Sequence, residues 1–295
     1  MKPANPDSIK KIVTTLASDI GPRPIKRPGK LMETRDFIKD YLENLGMSVS
    51  LQPVNYKGIE YHNVIASNRG MDPLSKRNKA VLVLGAHYDT LASTPGADDN
   101  ASGIAALLET AKILSSFQLD NVIFSAFCME EPPVFRTKNM GSYWYAKHLK
   151  NIDQNLMGMI CLEMVGYFSE KPGSQKYPFP LMNRLYPDRG NFIAVVGNLK
   201  SKDFTVTLKG LFKKHSCLPV ESLNAPAIML GIDFSDHWAF QKFGYKAVMV
   251  TDTAFYRNPN YHRPSDLPST LRYDKAAQVV DGLAGAILDL CTPGT

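Results

Sequence analysis

The feature that most constrains this chain is an apolar run that ends abruptly in polar residues, within positions 81–103. The run VLVLGA has the length of a buried strand, and it stops at His87 and Asp89. A loop then leads to positions 96–100, which read GADDN, and a helix rich in small residues is predicted from residue 101. Ligands of open α/β sheets bind outside the carboxyl ends of such strands. The stretch therefore predicts a strand, loop and helix that carry histidine and carboxylates to a ligand site.

Two further apolar runs resemble the first one. Residues 121–129 (NVIFSAFCM) end in Glu130 and Glu131, and residues 157–165 (MGMICLEMV) carry Glu163 near their end. Strand patterns alternate with helical ones along the chain. This alternation predicts an α/β fold in three layers, with one mixed, mostly parallel sheet flanked by helices.

The chain contains no internal repeat and no linker-like run of glycine, serine or proline. We therefore expect a single domain over residues 1–295. Two irregular excursions, residues 167–190 and 252–264, are too long for ordinary connections and are predicted to be active-site loops. Helices are predicted at about residues 8–20, 29–45, 101–115, 141–149, 203–215, 238–243 and 274–291, and further strands at about residues 48–55, 62–67, 191–197 and 245–251.

Composition excludes several classes of function. The net charge is +6, but the lysines and arginines are scattered, which is typical of a solvated surface and not of a nucleic-acid-binding one. Apolar runs fall far short of the ~18 residues of a membrane span, and the N-terminus has no apolar signal region. The four cysteines show no CxxC spacing, which argues against a disulfide framework or a thiolate zinc site. We therefore expect a cytoplasmic protein without a nucleic-acid or membrane partner.

If the three strands are neighbours, their terminal side chains converge on one edge of the sheet. Two divalent ions about 3.5–4 Å apart need one bridging carboxylate and terminal ligands on each ion. The side chains suit this arrangement, with Asp98 as the bridge, His87 and Glu163 on one ion, and Glu131 and His262 on the other. Imidazole and carboxylate ligands without thiolate favour zinc, with cobalt or manganese as alternatives.

Two carboxylates near these ligands have other predicted roles. Asp89 lies two residues after His87 and can accept the second ring N–H of that histidine, which would fix its tautomer. Glu130 is adjacent to a ligand and free to act as a general base toward a water molecule. Together they predict metal-assisted hydrolysis of an amide. Asp99 is interpreted as a structural residue.

These segments resemble the co-catalytic two-zinc aminopeptidase family, which includes secreted bacterial leucyl aminopeptidases, glutamate carboxypeptidase and the transferrin-receptor protease-like domain. The resemblance extends from about residue 81 to residue 266 in family order. The matching segments are His87-x-Asp89, residues 96–103, Glu130-Glu131 followed by Gly141-Ser142, Ser235-Asp236-His237, and Tyr261-His262 with Ser265-Asp266.

The resemblance implies a zinc-exopeptidase fold, two zinc ions and a peptide or small amide substrate, with release of N-terminal residues as the expected activity. It implies a cis bond after the bridging aspartate, hence at Asp98–Asp99. Family members place an oxyanion-stabilising tyrosine either shortly before the Ser-Asp-His segment, where this chain has Ile232, or directly before the last histidine, where it has Tyr261. Tyr261 is thus the expected oxyanion donor.

This chain departs from the family in two further places. The third-strand ligand is usually aspartate in family aminopeptidases but is Glu163 here, and residues 132–136 (PPVFR) replace a short glycine-containing link. Two alternatives stay open. One is an acyltransferase similar to glutaminyl cyclases, which use one zinc ion and tend to lack the first-strand histidine. The other is a catalytically silent binding domain of the same fold, although such relatives usually lose ligands.

Overall fold

The three apolar runs become neighbouring strands inside one eight-stranded sheet. A computed structural model describes residues 1–117, 119–226 and 228–292. The strands are β1 Ser48–Tyr56, β2 Ile59–Ser67, β3 Val81–His87, β4 Val122–Phe127, β5 Leu156–Glu163, β6 Ile193–Gly197, β7 Val220–Asn224 and β8 Ala247–Thr251. Their order in the sheet is β1-β2-β4-β3-β5-β8-β6-β7. The central strands β4, β3, β5 and β8 are parallel, whereas β1, β2 and the junction of β8 with β6 are antiparallel. The predicted α/β fold with a mixed, mostly parallel sheet is confirmed.

Helices cover both faces of the sheet. They are α1 Pro6–Thr14, α2 Pro28–Asn44, α3 Gly103–Leu114, α4 Gly141–Asn151, α5 Lys202–His215, α6 His237–Lys242 and α7 Tyr273–Cys291. Alternate residues of β3 point to opposite sides: Leu82 and Leu84 pack with α1, α2, α3, α5 and α7, and Val81 and Val83 pack with α4 and α6. Because successive strand side chains face opposite ways, an unbroken apolar run is buried on both faces.

Two elements differ from the predictions in informative ways. The strand β7 was not predicted, because its sequence VESLN lies at the sheet edge, is only partly buried and lacks an apolar run. The first helix is also shorter than predicted: α1 ends at Thr14, and a wider π-helical turn, Thr15–Ile20, follows it. The N-cap of α1 is Asn5, whose side chain accepts a hydrogen bond from the Asp7 N–H.

The segment before α3 carries residues of the predicted metal centre and is not regular helix. The turn Ala97–Ser102 has extended backbone at Asp99 and non-helical angles at Asn100, so α3 begins only at Gly103. A Cβ atom on Gly103 would overlap the Asn100 side chain. This glycine therefore allows the turn to pack directly on the start of the helix.

Across the described ranges, each helix is too short or too polar to span a lipid bilayer.

Candidate metal centre

The carboxyl ends of β3, β4 and β5 meet at one edge of the sheet, as predicted. His87 is the last residue of β3 and pairs in register with Phe127, the last residue of β4. Glu163 ends β5 on the other side of β3. Strand adjacency therefore brings together side chains that are up to 76 positions apart, from His87 to Glu163.

The first group of potential metal ligands consists of His87, Asp99 and Glu163. The Nε2 atom of His87 lies 3.5 Å from Oδ1 of Asp99 and 3.3 Å from Oε2 of Glu163. All three side chains are buried, and their donor atoms lie within 4.8 Å of one another. One imidazole and two carboxylates can hold one divalent ion.

The second group consists of Asp99, Glu131 and His262. The Nε2 atom of His262 lies 3.2 Å from Oδ2 of Asp99 and 3.5 Å from Oε2 of Glu131. Asp99 thus belongs to both groups and presents a different oxygen to each histidine. This is the arrangement that a bridging carboxylate requires.

The structure corrects the prediction for Asp98. Its Oδ1 atom accepts hydrogen bonds from the Gly166 N–H at 2.9 Å and the Ser102 hydroxyl at 3.0 Å, and its Oδ2 atom accepts one from Asn258 at 2.7 Å. Its carboxylate is therefore engaged away from both donor groups, and Asp99 is the aspartate that belongs to both of them. The cis bond accordingly lies at Asp99–Asn100 and not at Asp98–Asp99. A sequence with two adjacent aspartates does not reveal which one the backbone turns toward the site.

Asp89 lies beside His87, and it also organises the glutamate pair. One of its carboxylate oxygens is 3.4 Å from Nδ1 of His87, which leaves Nε2 of that ring facing Asp99 and Glu163. The same carboxylate accepts hydrogen bonds from the backbone N–H groups of Glu130 at 2.9 Å and Glu131 at 3.1 Å. Asp89 therefore connects the end of β3 to the segment after β4.

Asp266 holds the aspartate pair in the same way and was not assigned a role from sequence. Its buried carboxylate accepts hydrogen bonds from the backbone N–H groups of Asp98 at 2.9 Å and Asp99 at 3.1 Å. It lies four positions after His262, so it ties the bridging aspartate to the loop that carries the last histidine. The only sequence signal was its presence in the Ser265-Asp266 match to the family.

Glu130 and Tyr261 border the two donor groups. The Glu130 carboxylate is buried, and its Oε2 atom lies 4.0 Å from Nε2 of His87. The Tyr261 ring is stacked on the His262 imidazole, with ring centroids 3.7 Å apart and an interplanar angle of 19°. Neither residue belongs to a three-residue donor group.

Crowded negative charge dominates the electrostatics of the centre. Burial raises the pKa of Glu130 well above its usual range and raises that of Glu131 to about 8, with Asp99 contributing further to the latter. Burial alone would lower the pKa values of the two histidines. The surrounding carboxylates outweigh it, so that the pKa of His87 is well above normal and that of His262 is about 10.

The donor set fits divalent cations. Two imidazoles and three carboxylates converge without a thiolate, which is the ligand chemistry of zinc and of comparable transition metals. The Oε1 atom of Glu131 is buried and has no hydrogen-bond partner among the described residues, as expected of a ligand atom that a cation would satisfy.

An apolar cavity of about 100 Å³ opens beside the centre. Glu163 and Tyr261 form part of its wall, and the remaining surface comes mainly from β6, β7, β8 and irregular segments. Residues from both predicted active-site loops contribute, between Gln175 and Tyr186 and between Thr253 and Tyr261. The apolar side chains of its lining include Met182, Phe192, Val196, Ile232, Met249 and Phe255.

Comparison with known families identifies the class of protein that this fold and site define. Residues 63–287 match the family model described as "Peptidase family M28", and the chain belongs to that family. It is 41% identical over 290 residues to the "Uncharacterized protein YfbL" of Escherichia coli, covering 95% of this chain and 87% of that protein. It is 24% identical over 247 residues to "Leucine aminopeptidase 1" of Trichophyton equinum, covering 78% of this chain but only 58% of that protein.

Solved structures share the fold at lower sequence identity. A zinc aminopeptidase from Bacillus subtilis superposes with a TM-score of 0.74 and 15% identity, covering 98% of this chain and 96% of that chain. A glutaminyl cyclase from Bacteroides thetaiotaomicron superposes with a TM-score of 0.70 and 19% identity, covering 97% of this chain and 98% of that one. The fold is therefore common to both activities, and the choice between them depends on the site.

Proposed function

We propose that this protein is a metal-dependent exopeptidase, and specifically an aminopeptidase that uses two zinc ions. The observation that carries the proposal is the position of Asp99, whose two carboxylate oxygens each face a separate histidine and glutamate. His87 and Glu163 would complete one ion site, and Glu131 and His262 the other. Membership in a peptidase family supports hydrolysis of a peptide bond.

Divalent ions bound at these sites supply Lewis acidity, which polarises a carbonyl and acidifies water. Glu130 lies next to the Glu131 ligand and within 4.0 Å of His87, so its carboxylate can take the proton of the attacking water and pass it to the leaving amine nitrogen. Tyr261 is held against His262 at the mouth of the apolar cavity, where its hydroxyl can donate a hydrogen bond to the developing oxyanion.

Charge favours a free amino terminus as the recognised group. Five carboxylates surround the centre, from Asp89, Asp99, Glu130, Glu131 and Glu163. These carboxylates suit a substrate whose reacting end carries an ammonium group. The apolar cavity beside Glu163 suits an aliphatic or aromatic side chain of the terminal residue. The name of the Trichophyton relative agrees with this substrate class.

The position of His87 bears on the glutaminyl-cyclase alternative. A single-zinc cyclase has no need of a second complete donor group, yet here His87 is buried within ligand distance of both Asp99 and Glu163. We therefore favour peptide hydrolysis over cyclisation of an N-terminal glutamine.

The experiment combines metal counting with a substrate scan. We expect the purified protein to bind two zinc ions per chain and to cleave aminoacyl-nitroanilides with large apolar residues, with activity lost on chelation and regained with Zn²⁺, Co²⁺ or Mn²⁺. N-acetylated versions of the same substrates are the matched control and should not be cleaved. One ion per chain together with cyclisation of a glutaminyl peptide would contradict the proposal, as would cleavage only at free carboxyl termini.

A further inference from the structure

The Arg23 side chain is almost completely buried, with 1% of its surface exposed, and its guanidinium binds backbone oxygens. It follows the π-helical turn, in the segment Gly21-Pro22-Arg23-Pro24, and donates five hydrogen bonds. Nε donates to the carbonyl of Tyr88 at 2.9 Å, Nη1 to those of Leu16 at 2.6 Å, Gly21 at 3.0 Å and Pro95 at 3.1 Å, and Nη2 to that of Gly96 at 3.2 Å. A guanidinium presents its N–H donors in a rigid plane, so five hydrogen bonds to backbone carbonyls fix its orientation.

Three of these five acceptors lie at the two ends of one segment of the candidate metal centre, residues 88–96. Tyr88 directly follows His87, and Pro95 and Gly96 lie shortly before Asp99. The backbone of Arg23 binds the middle of the same segment: its N–H donates to Oγ1 of Thr90 at 2.9 Å, and its carbonyl accepts from the Thr90 N–H at 3.3 Å. Arg23 thus fastens both ends and the middle of the chain that separates His87 from the bridging aspartate.

The turn at Gly96 is closely packed between Arg23 and Asp99. Gly96 has a φ of +68°, in the left-handed region that favours glycine. A Cβ atom there would overlap the Thr90 side chain and the backbone carbonyl of Asp99, and would lie 3.1 Å from Nη2 of Arg23. Since Nη2 of Arg23 also donates to the Gly96 carbonyl at 3.2 Å, the position of the guanidinium is coupled to the backbone that leads to Asp99.

Charge reinforces this geometry. Burial lowers the pKa of Arg23 to about 10, while the nearby carboxylates of Asp89, Asp266 and Asp99 raise it, so the group is cationic at neutral pH. Asp89 and Asp266 are the two carboxylates that hold the backbone N–H groups of the acidic pairs. Arg23 is therefore a fixed positive charge next to the residues that orient the ligands.

We propose that Arg23 is a positioning residue of the metal centre, which sets the separation between His87 and Asp99 by holding both ends of residues 88–96. This inference rests on the metal centre of the proposed function. A guanidinium cation has no acceptor atom to offer a metal ion, so Arg23 acts through Tyr88, Thr90 and Gly96. Outer residues that orient metal ligands typically contribute roughly 10- to 100-fold to metal affinity.

The test uses two variants of Arg23. Arg23→Lys keeps the positive charge but lacks the planar guanidinium, and Arg23→Met removes the charge and the hydrogen-bond donors. Zinc dissociation constants are measured by competition with a chromogenic chelator at a temperature where each variant is folded by circular dichroism. The visible absorption of the Co²⁺-substituted proteins reports ligand geometry. Ile38→Ala is the control, since it removes buried core contacts on α2, a helix that makes none of the hydrogen bonds of residues 88–96, and lowers stability.

We expect both Arg23 variants to bind zinc roughly 10- to 100-fold more weakly and to show an altered Co²⁺ spectrum, while Ile38→Ala binds zinc with wild-type affinity at a comparable loss of Tm. Wild-type affinity and spectrum in Arg23→Lys, with only a lower Tm, would overturn the inference. If Arg23→Met does not fold, the Lys variant alone decides the outcome. A wild-type protein that binds no divalent ion would instead refute the proposed function, so the two failures are distinguishable.

Discussion

The hydroxyl of Ser235 donates a 2.6 Å hydrogen bond to Oε2 of Glu163, inside the core of the protein. The bond joins the segment before α6 to the end of β5, and it engages the same carboxylate oxygen that lies 3.3 Å from Nε2 of His87. Family aminopeptidases usually have the shorter aspartate at this position. The hydrogen bond from Ser235 orients the longer side chain of Glu163. Ser235 therefore positions one of the proposed ligands.

Replacement of Ser235 by alanine should loosen Glu163 and weaken one of the two metal sites. We expect roughly a 10-fold loss of zinc affinity at that site, with the other site less affected, in a chelator titration. The control is Ser125→Ala, a buried serine of β4 whose hydroxyl has no hydrogen-bond partner among the described residues. Equal zinc affinity in the two variants would show that Ser235 does not orient the ligand.

Exchange of the two adjacent aspartates for asparagine should separate their roles. Asp99→Asn removes a charge shared by both donor groups, so we expect less than two ions per chain and a large loss of activity. Asp98→Asn disturbs a buried hydrogen-bond cluster instead, so we expect two ions per chain and a lower Tm. Metal analysis after dialysis and a thermal melt measure both effects. The reverse pattern would restore Asp98 as the bridge.

Removal of the proposed general base should leave the metal centre intact. We expect Glu130→Gln to keep the zinc content of the wild type and to lose kcat by at least roughly 10²-fold, the scale of general-base catalysis. Glu33→Gln changes an exposed carboxylate on α2 in the same way and should keep full activity. Turnover of Glu130→Gln near that of the control would remove Glu130 from the mechanism.

Metal binding should release protons, and its affinity should rise with pH. In the metal-free protein burial raises the pKa of Glu131 to about 8, and Asp99 outweighs burial to raise that of His262 to about 10, so this pair of side chains holds bound protons at pH 7. Zinc must displace these protons before it can bind the two ligands. Calorimetric titrations in buffers of different ionisation enthalpy should therefore show proton release at pH 7, decreasing toward pH 10. A pH-independent affinity between pH 6 and 8 would contradict this linkage.

His237 should make the fold sensitive to acid. Burial lowers the pKa of this histidine to about 4, and its Nε2–H donates to the carbonyl of Ile232 at 2.7 Å. Between about pH 6.5 and 4 the unfolded chain binds the proton that the folded one excludes, so stability falls as the pH falls through this window, by up to about 3 kcal/mol. Denaturant unfolding of the metal-free protein at several pH values measures this loss. The loss should shrink in His237→Gln, which keeps a donor for Ile232 but has no titratable group, and an unchanged pH dependence in that variant would argue against the assignment.

Much of the candidate centre could be predicted because several of its ionisable residues directly follow apolar runs in the sequence. Apolar runs that end in His87, in Glu130 and Glu131, and in Glu163 each indicate a buried strand with an ionisable group at its end, and parallel strands place such ends together. The fold class followed from the same periodicity and is confirmed by the sheet. Residues without an apolar run around them, such as those of β7, gave no comparable signal.

Only the tertiary structure decided how individual side chains are directed. Asp98 and Asp99 are chemically identical neighbours, and the backbone angles between Gly96 and Gly103 determine which of them faces the two histidines. Those angles depend on contacts from distant parts of the chain, the guanidinium of Arg23 and the carboxylate of Asp266. The sequence by itself determined which potential ligand types are present and which of them end or follow a strand. Which aspartate faces both histidines depends on hydrogen bonds between residues far apart in the chain. Such contacts leave no periodic pattern in the sequence, so they could not be predicted from it.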